Sequence, residues 1–115
     1  MKKSRAQQPP NVLEMIPSRS AAFEEQEGKI VLLLPRQPIP LLGRFFRRFR
    51  EPLPVRLHLD EYGGFIWRQI DGRTPVKEIA LALRDRYGEA VEPVYERVGL
   101  FINQLAHQQL IALHL

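Results

Sequence analysis

The stretch Leu57 to Thr74, LHLDEYGGFIWRQIDGRT, most constrains what this chain can fold into, because it changes periodicity at a single residue. Leu57 and Leu59 alternate with His58, the period-two pattern of a strand with one buried face. Asp60 then stands where a helix needs a side-chain oxygen for its unpaired backbone donors. From there Tyr62, Phe65, Ile66 and Ile70 recur at helical spacing, Trp67 broadens the stripe, and Asp71-Gly72 supplies the left-handed residue that ends helices. The spacing predicts a helix from about Asp60 to Ile70, with Trp67 in the core. Thr74-Pro75 opens the next helix, threonine as cap and proline at a first position where its missing N–H costs nothing.

The same logic continues downstream. Val76, Ile79, Ala80, Leu83 and Tyr87 make an inward stripe for a helix from Pro75 to Tyr87, stopped by Gly88. A third helix, from about Pro93 to Gln108, buries Val94, Tyr95, Val98, Phe101, Ile102 and Leu105. Gly99 interrupts it at a cost of about 1 kcal/mol relative to alanine, so something comes close there, either a neighbouring helix or a bound peptide. Leu110 to Leu115 forms a last short strand or caps the core.

Upstream, Ala21 to Glu25 and Lys29 to Leu34 flank Gln26-Glu27-Gly28 and read as a hairpin. Val55, Leu57 and Leu59 make a third strand, with Arg56 and His58 on its opposite face. Asn11 to Pro17 is a short apolar segment that packs on the domain. Residues 1–10, rich in Lys, Gln and Pro, form a disordered basic tail, and residues 11–115 a single domain. The expected class is α+β: a three-stranded antiparallel sheet followed by three helices, the last two arranged as helix-turn-helix, in a winged-helix-like architecture.

Between the hairpin and the third strand lies an insert, residues 36–54, centred on LLGRFFRRFR. Leu41, Leu42, Phe45, Phe46 and Phe49 fall on one side of an amphipathic helix, with Arg44, Arg47 and Arg48 between them. Arg44, Phe45, Arg47 and Arg48 are candidates for docking to an acidic partner or a membrane surface; the plain alternative is that the phenylalanines cover the sheet while the arginines are solvated. Residues 1–56 hold eleven Lys and Arg against five Glu, and residues 57–115 hold six against eight acidic residues, so the net charge of +4 comes from the N-terminal half. No apolar run is long enough to span a bilayer and the N-terminus is not a secretion signal, from which cytoplasmic residence is expected.

Catalytic chemistry has no candidates. With no cysteine there is no disulfide, thiolate site or thiol nucleophile. His58, His107 and His114 lack ligand spacing, the serines lie outside any nucleophile elbow, and the dispersed glycines build no phosphate loop. No enzyme activity, cofactor or metal is expected.

Two stretches, LDEYGGFIWRQIDGRTPVKEIALALRDRYG and VEPVYERVGLFINQL, together resemble the family of pyrroloquinoline quinone biosynthesis protein D (PqqD) in the order and spacing of their parts. Pro75, between the capping threonine and Val76, departs from the pattern, and the segment before Leu57 is longer and more basic than in compact members. The resemblance implies a recognition module for a ribosomally made precursor peptide. Such a module holds the leader as an added strand beside the third strand and third helix and presents it to a separate modifying enzyme, often a radical S-adenosylmethionine enzyme. The corresponding site here is Val55, Arg56, Leu57, His58 and Leu59 with Arg97, Gly99, Leu100 and Gln104, the residues on or beside the outward face of the third helix. Leu100 packing under the N-terminal segment is the competing reading. A winged-helix DNA-binding protein is the alternative function, disfavoured because the third helix brings Glu92 and Glu96 toward any phosphate; nucleic acid is therefore not an expected partner. A homodimer is left open.

Overall fold

The computed structural model describes residues 11–34 and 55–115. The basic tail at 1–10 and the arginine-rich insert, with Arg44, Phe45, Arg47 and Arg48, lie outside the described residues.

A 3₁₀ turn at Val12–Glu14 leads into β1 (Ile16–Arg19), β2 (Ala22–Gln26) and β3 (Lys29–Leu34), and β4 (Val55–His58) runs into α1 (Glu61–Gln69). Helices α2 (Val76–Tyr87) and α3 (Val94–His107) follow, separated by a 3₁₀ turn at Gly88–Val91, and β5 (Ile111–His114) comes last. The class is α+β, with the antiparallel sheet β2-β3-β4 followed by the three helices. The hairpin closes tightly: Gln26 faces Lys29 across a loop of two residues, Glu27 and Gly28, both at positive φ (53° and 80°), the twist that suits a two-residue hairpin.

The strand-to-helix switch forms as its residues dictate. The Asp60 carboxylate accepts the Gly63 N–H at 2.7 Å, and α1 starts at the next residue. Trp67 is wholly buried, edge-on to Phe23, in a core that joins Ile30 and Leu32 of β3 to Ile79 and Leu83 of α2 and Val98 and Ile102 of α3. Arg19 closes the end of α1 by donating to the Trp67 carbonyl through Nη2 at 2.9 Å, its guanidinium lying over the Phe23 and Trp67 rings.

Three expectations are corrected. The segment read only as an apolar patch contributes a strand: β1 pairs with β5 in a second, two-stranded sheet, Pro17 opposite Leu113. Proline is tolerated because position 17 turns its backbone away from β5, where its carbonyl accepts the Gly72 N–H at 3.1 Å. Thr74 does not cap α2. Its hydroxyl donates to Asp71, whose carboxylate also accepts the Arg73 and Thr74 N–H groups, and the Val76 N–H at the start of α2 is satisfied instead by the Met15 carbonyl at 2.9 Å. Tyr95, assigned to the inward stripe, is 36% exposed, with the Arg84 guanidinium 5.3 Å from its ring centre.

Candidate functional site

β4 is the last strand of its sheet, and among the described residues no strand pairs with its outer edge. The groups offered there follow from the ladder. Leu59 N–H donates to the Ile30 carbonyl at 3.0 Å, so residues 59 and 30 form a hydrogen-bonded pair. Antiparallel pairs alternate, which turns the main-chain groups of Val55, Leu57 and Leu59 toward β3 and those of Arg56 and His58 toward the open edge.

Side chains alternate in the other sense, across the two faces of the sheet. Leu57 and Leu59 face the helices, Leu59 buried and Leu57 half-buried. Arg56 and His58 are exposed on the far face, where the Arg56 guanidinium reaches over β3 to Glu24 on β2 at 2.9 Å. That contact holds the Glu24 carboxyl below its ordinary range, through the hydrogen bond from Arg56 first and that from Gln26 second. Arg56 therefore contributes its backbone to the edge while its side chain is engaged elsewhere.

Between β4 and α3 lies a groove of about 490 Å³. Leu57 and Leu59 form one wall, and Arg97, Phe101, Gln104 and Gln108 the other. Those four recur at intervals of four, three and four residues, one stripe along α3. Gly63 shapes the floor: a Cβ placed there would sit 3.2 Å from the Phe101 ring and 3.2 Å from Asp60 Oδ1. The bare glycine lets α1, α3 and the end of β4 converge.

The structure thus brings Leu57, His58, Leu59, Arg97 and Gln104 into one groove, with Arg56 and Val55 on the same strand. It does not bring Gly99 and Leu100 there. Both line a shallow depression shared with Val12, Leu13 and Tyr95, and Leu100 also shares a second one with Gln104 and Gln108, at the border of the groove wall. The close neighbour at Gly99 is Val12 of the 3₁₀ turn, whose Cγ1 would lie 3.4 Å from a Cβ on residue 99. Leu100 remains 66% exposed at the rim of that depression. Helical spacing places Phe101 on the buried stripe, yet it is half-buried and forms a groove wall beside Gly63, a proximity across 38 residues that no local pattern signals.

Among the described residues no group of three or more acidic or histidine side chains converges as a metal site, and no helix is long and apolar enough to cross a membrane. In comparisons with known proteins, no curated protein and no solved structure matches the chain. The family model described as coenzyme PQQ synthesis protein D (PqqD) matches residues 54–111, from the entry to β4 through α3 to the first residue of β5. That span is just over half of the sequence and contains the whole groove, and the chain accordingly belongs to the PqqD family.

Proposed function

We propose that this protein binds the leader of a ribosomally made precursor peptide as an extra strand on the outer edge of β4 and presents it to a separate modifying enzyme. Membership of the PqqD family is consistent with a precursor-peptide-binding role in biosynthesis and implies a partnership between such a peptide and an enzyme; radical S-adenosylmethionine enzymes are the class we favour. The observation that carries the reading is the edge of β4, unpaired among the described residues, beside a groove. An added strand would exchange main-chain hydrogen bonds with Arg56 and His58 and direct alternate side chains between Leu57 and Phe101. Main-chain pairing supplies affinity with little sequence demand, and a few apolar anchors supply the rest, which sets the expected dissociation constant on the order of micromolar.

The protein's role in this reading is binding and positioning, with chemistry left to the enzyme. Nothing favours nucleic-acid binding: Glu92 and Glu96 stand exposed at the start of α3, where they would repel phosphate. The test is an NMR titration of the ¹⁵N-labelled protein with the leader segment of a precursor peptide encoded in its gene neighbourhood. The largest amide shifts are expected at Arg56 and His58 and along the Arg97–Gln104 stripe. Shifts confined to α2 would place binding elsewhere and sink the proposal.

A further inference from the structure

Resting on the peptide-binding reading above, the geometry points to a sequence preference in the occupant: we infer that it carries an acidic side chain, paired with Arg97, two residues from an apolar side chain seated against Phe101.

Arg97 is exposed in the groove wall, and its guanidinium makes one long contact, 3.4 Å from Nη1 to the Ala90 carbonyl. Among the described residues no carboxylate lies within ion-pair distance of it. Asp60, Glu61 and Glu92 are committed to other partners, and the exposed Glu89 and Glu96, close to it in the chain, make no ion pair with it. Asp60 caps α1 through the Gly63 N–H. Burial of the phenol first, and then the hydrogen bond that the Tyr87 hydroxyl shares with Glu61, push the Tyr87 pKa up. Glu92 accepts the Val94 N–H at 3.1 Å and lies 2.8 Å from Arg84 Nε. Arg56, Arg68 and Arg84 each have a carboxylate partner of their own, whereas Arg97, like Arg19, Arg73 and Arg86, has none among the described residues, and of these four it is Arg97 that lines the groove. A guanidinium presents a planar fork of donors that matches a carboxylate, and beside apolar walls that pairing is stronger than in open water.

The spacing follows from the two lattices that meet in the groove. Strand alternation sends only every second residue of an added peptide toward α3, and such residues stand about 6.8 Å apart. Arg97 and Phe101 are separated by four residues of helix, a rise of about 6 Å. Two inward-facing residues of the peptide, i and i+2, therefore span the cation and the aromatic ring. Leu57 across the groove, with Phe101, completes an apolar seat for one of them. Beyond Phe101 the stripe continues as Gln104 and Gln108, which offer hydrogen bonds without charge.

The test selects a phage-displayed library of random dodecapeptides on the full chain, on Arg97→Glu and on Arg97→Gln. All three are checked by circular dichroism, since Arg97 is exposed and its substitution leaves the core untouched. The wild type is expected to enrich Asp or Glu two positions from Leu, Ile, Val or Phe, and Arg97→Glu to replace the acid by Lys or Arg. One enriched peptide, synthesised with its acid or with the corresponding amide, completes a double-mutant cycle: Arg97→Gln should weaken the acidic form roughly tenfold and leave the amide form within about twofold. Enriched peptides that shift the Arg56 and His58 amides but show no acidic preference would overturn this inference and leave the groove reading standing. Peptides that bind without shifting those amides, or a selection that enriches nothing, would overturn both.

Discussion

The two sides of α3 are treated differently by the rest of the chain. On the side of Gly99 the protein supplies its own covering: the turn at Val12–Glu14 packs against the helix, and a Cβ on residue 99 would meet Val12 at 3.4 Å, at ordinary contact. On the side of Phe101 the neighbouring element is a strand whose outer edge is unpaired among the described residues, and none of these fills the space between. Both sides use a glycine, yet to opposite ends. Gly99 admits a segment of the same chain, whereas Gly63 draws Phe101 and Leu59 together to shape a surface that stays open. The difference teaches that an apolar residue off the core stripe is a poor guide to function by itself. Leu100 is the more exposed, but Phe101, half-buried beside an unpaired strand edge, is where a ligand can gain both hydrogen bonds and apolar contact.

The largest expected effect lies beneath both sides. Trp67→Ala should cost about 3–5 kcal/mol, measured by chemical denaturation, because the indole is wholly buried at the junction of sheet and helices. Near-wild-type stability would break the comparison at its base, since α3 would then not rest on a shared core.

Phe101→Ala should cost less, roughly 1–2 kcal/mol for a half-buried ring, and should abolish measurable peptide binding at micromolar concentration while the fold persists. A loss as large as that of Trp67→Ala would mean that Phe101 belongs to the core and the groove wall is incidental.

The glycine pair sharpens the contrast. Gly99→Ala should be neutral or stabilising by up to about 1 kcal/mol, because its Cβ would meet Val12 at 3.4 Å, an ordinary contact, while helix propensity improves. Gly63→Ala should forfeit that gain, since its Cβ would press at 3.2 Å on both the Asp60 cap and the Phe101 ring, and it should weaken peptide binding by moving the groove wall. Equal thermal shifts for the two variants would show that the groove side is as tolerant as the other.

Leu100→Asp should change stability by less than about 0.5 kcal/mol and leave peptide affinity intact, because Leu100 is 66% exposed and does not line the groove between β4 and α3. Loss of binding in that folded variant would move the site to the Gly99 side.

The smallest effect is acid sensitivity at the α1–α2 loop. The N–H of Arg73 first, and that of Thr74, hold the Asp71 carboxyl below its ordinary value of 3.8. The folded state therefore binds this proton less readily than the unfolded chain. The contribution is present above about pH 4 and is lost as pH falls through the depressed value. Asp71→Asn should accordingly flatten the stability-against-pH curve below pH 4; an unchanged curve would show that the loop contributes nothing to the titration.

Much of the frame around the groove was legible in the sequence, since each part of it is a local decision. Asp60 as cap, Gly72 and Gly88 at positive φ, and the apolar run of β3 act on neighbours within a turn or a strand, and the three helices end within a residue or two of their signals. Other features depended on partners far along the chain. No spacing announces that Ile16–Arg19 pairs with Ile111–His114, because short strands carry little register information and the choice is made by which edges are left when the core has packed. That pairing carries Met15 to the start of α2, where its carbonyl takes the capping role expected of Thr74, and it leads the preceding turn to Gly99. Periodicity assigned Tyr95 and Phe101 to one buried stripe; packing exposed the first and left the second half-buried in a groove wall. The sequence by itself determined the elements and the residues that start and stop them, because capping and alternation are local energies. Only the tertiary structure decided which side of α3 is covered and which is open, because burial depends on every other element competing for the same surface.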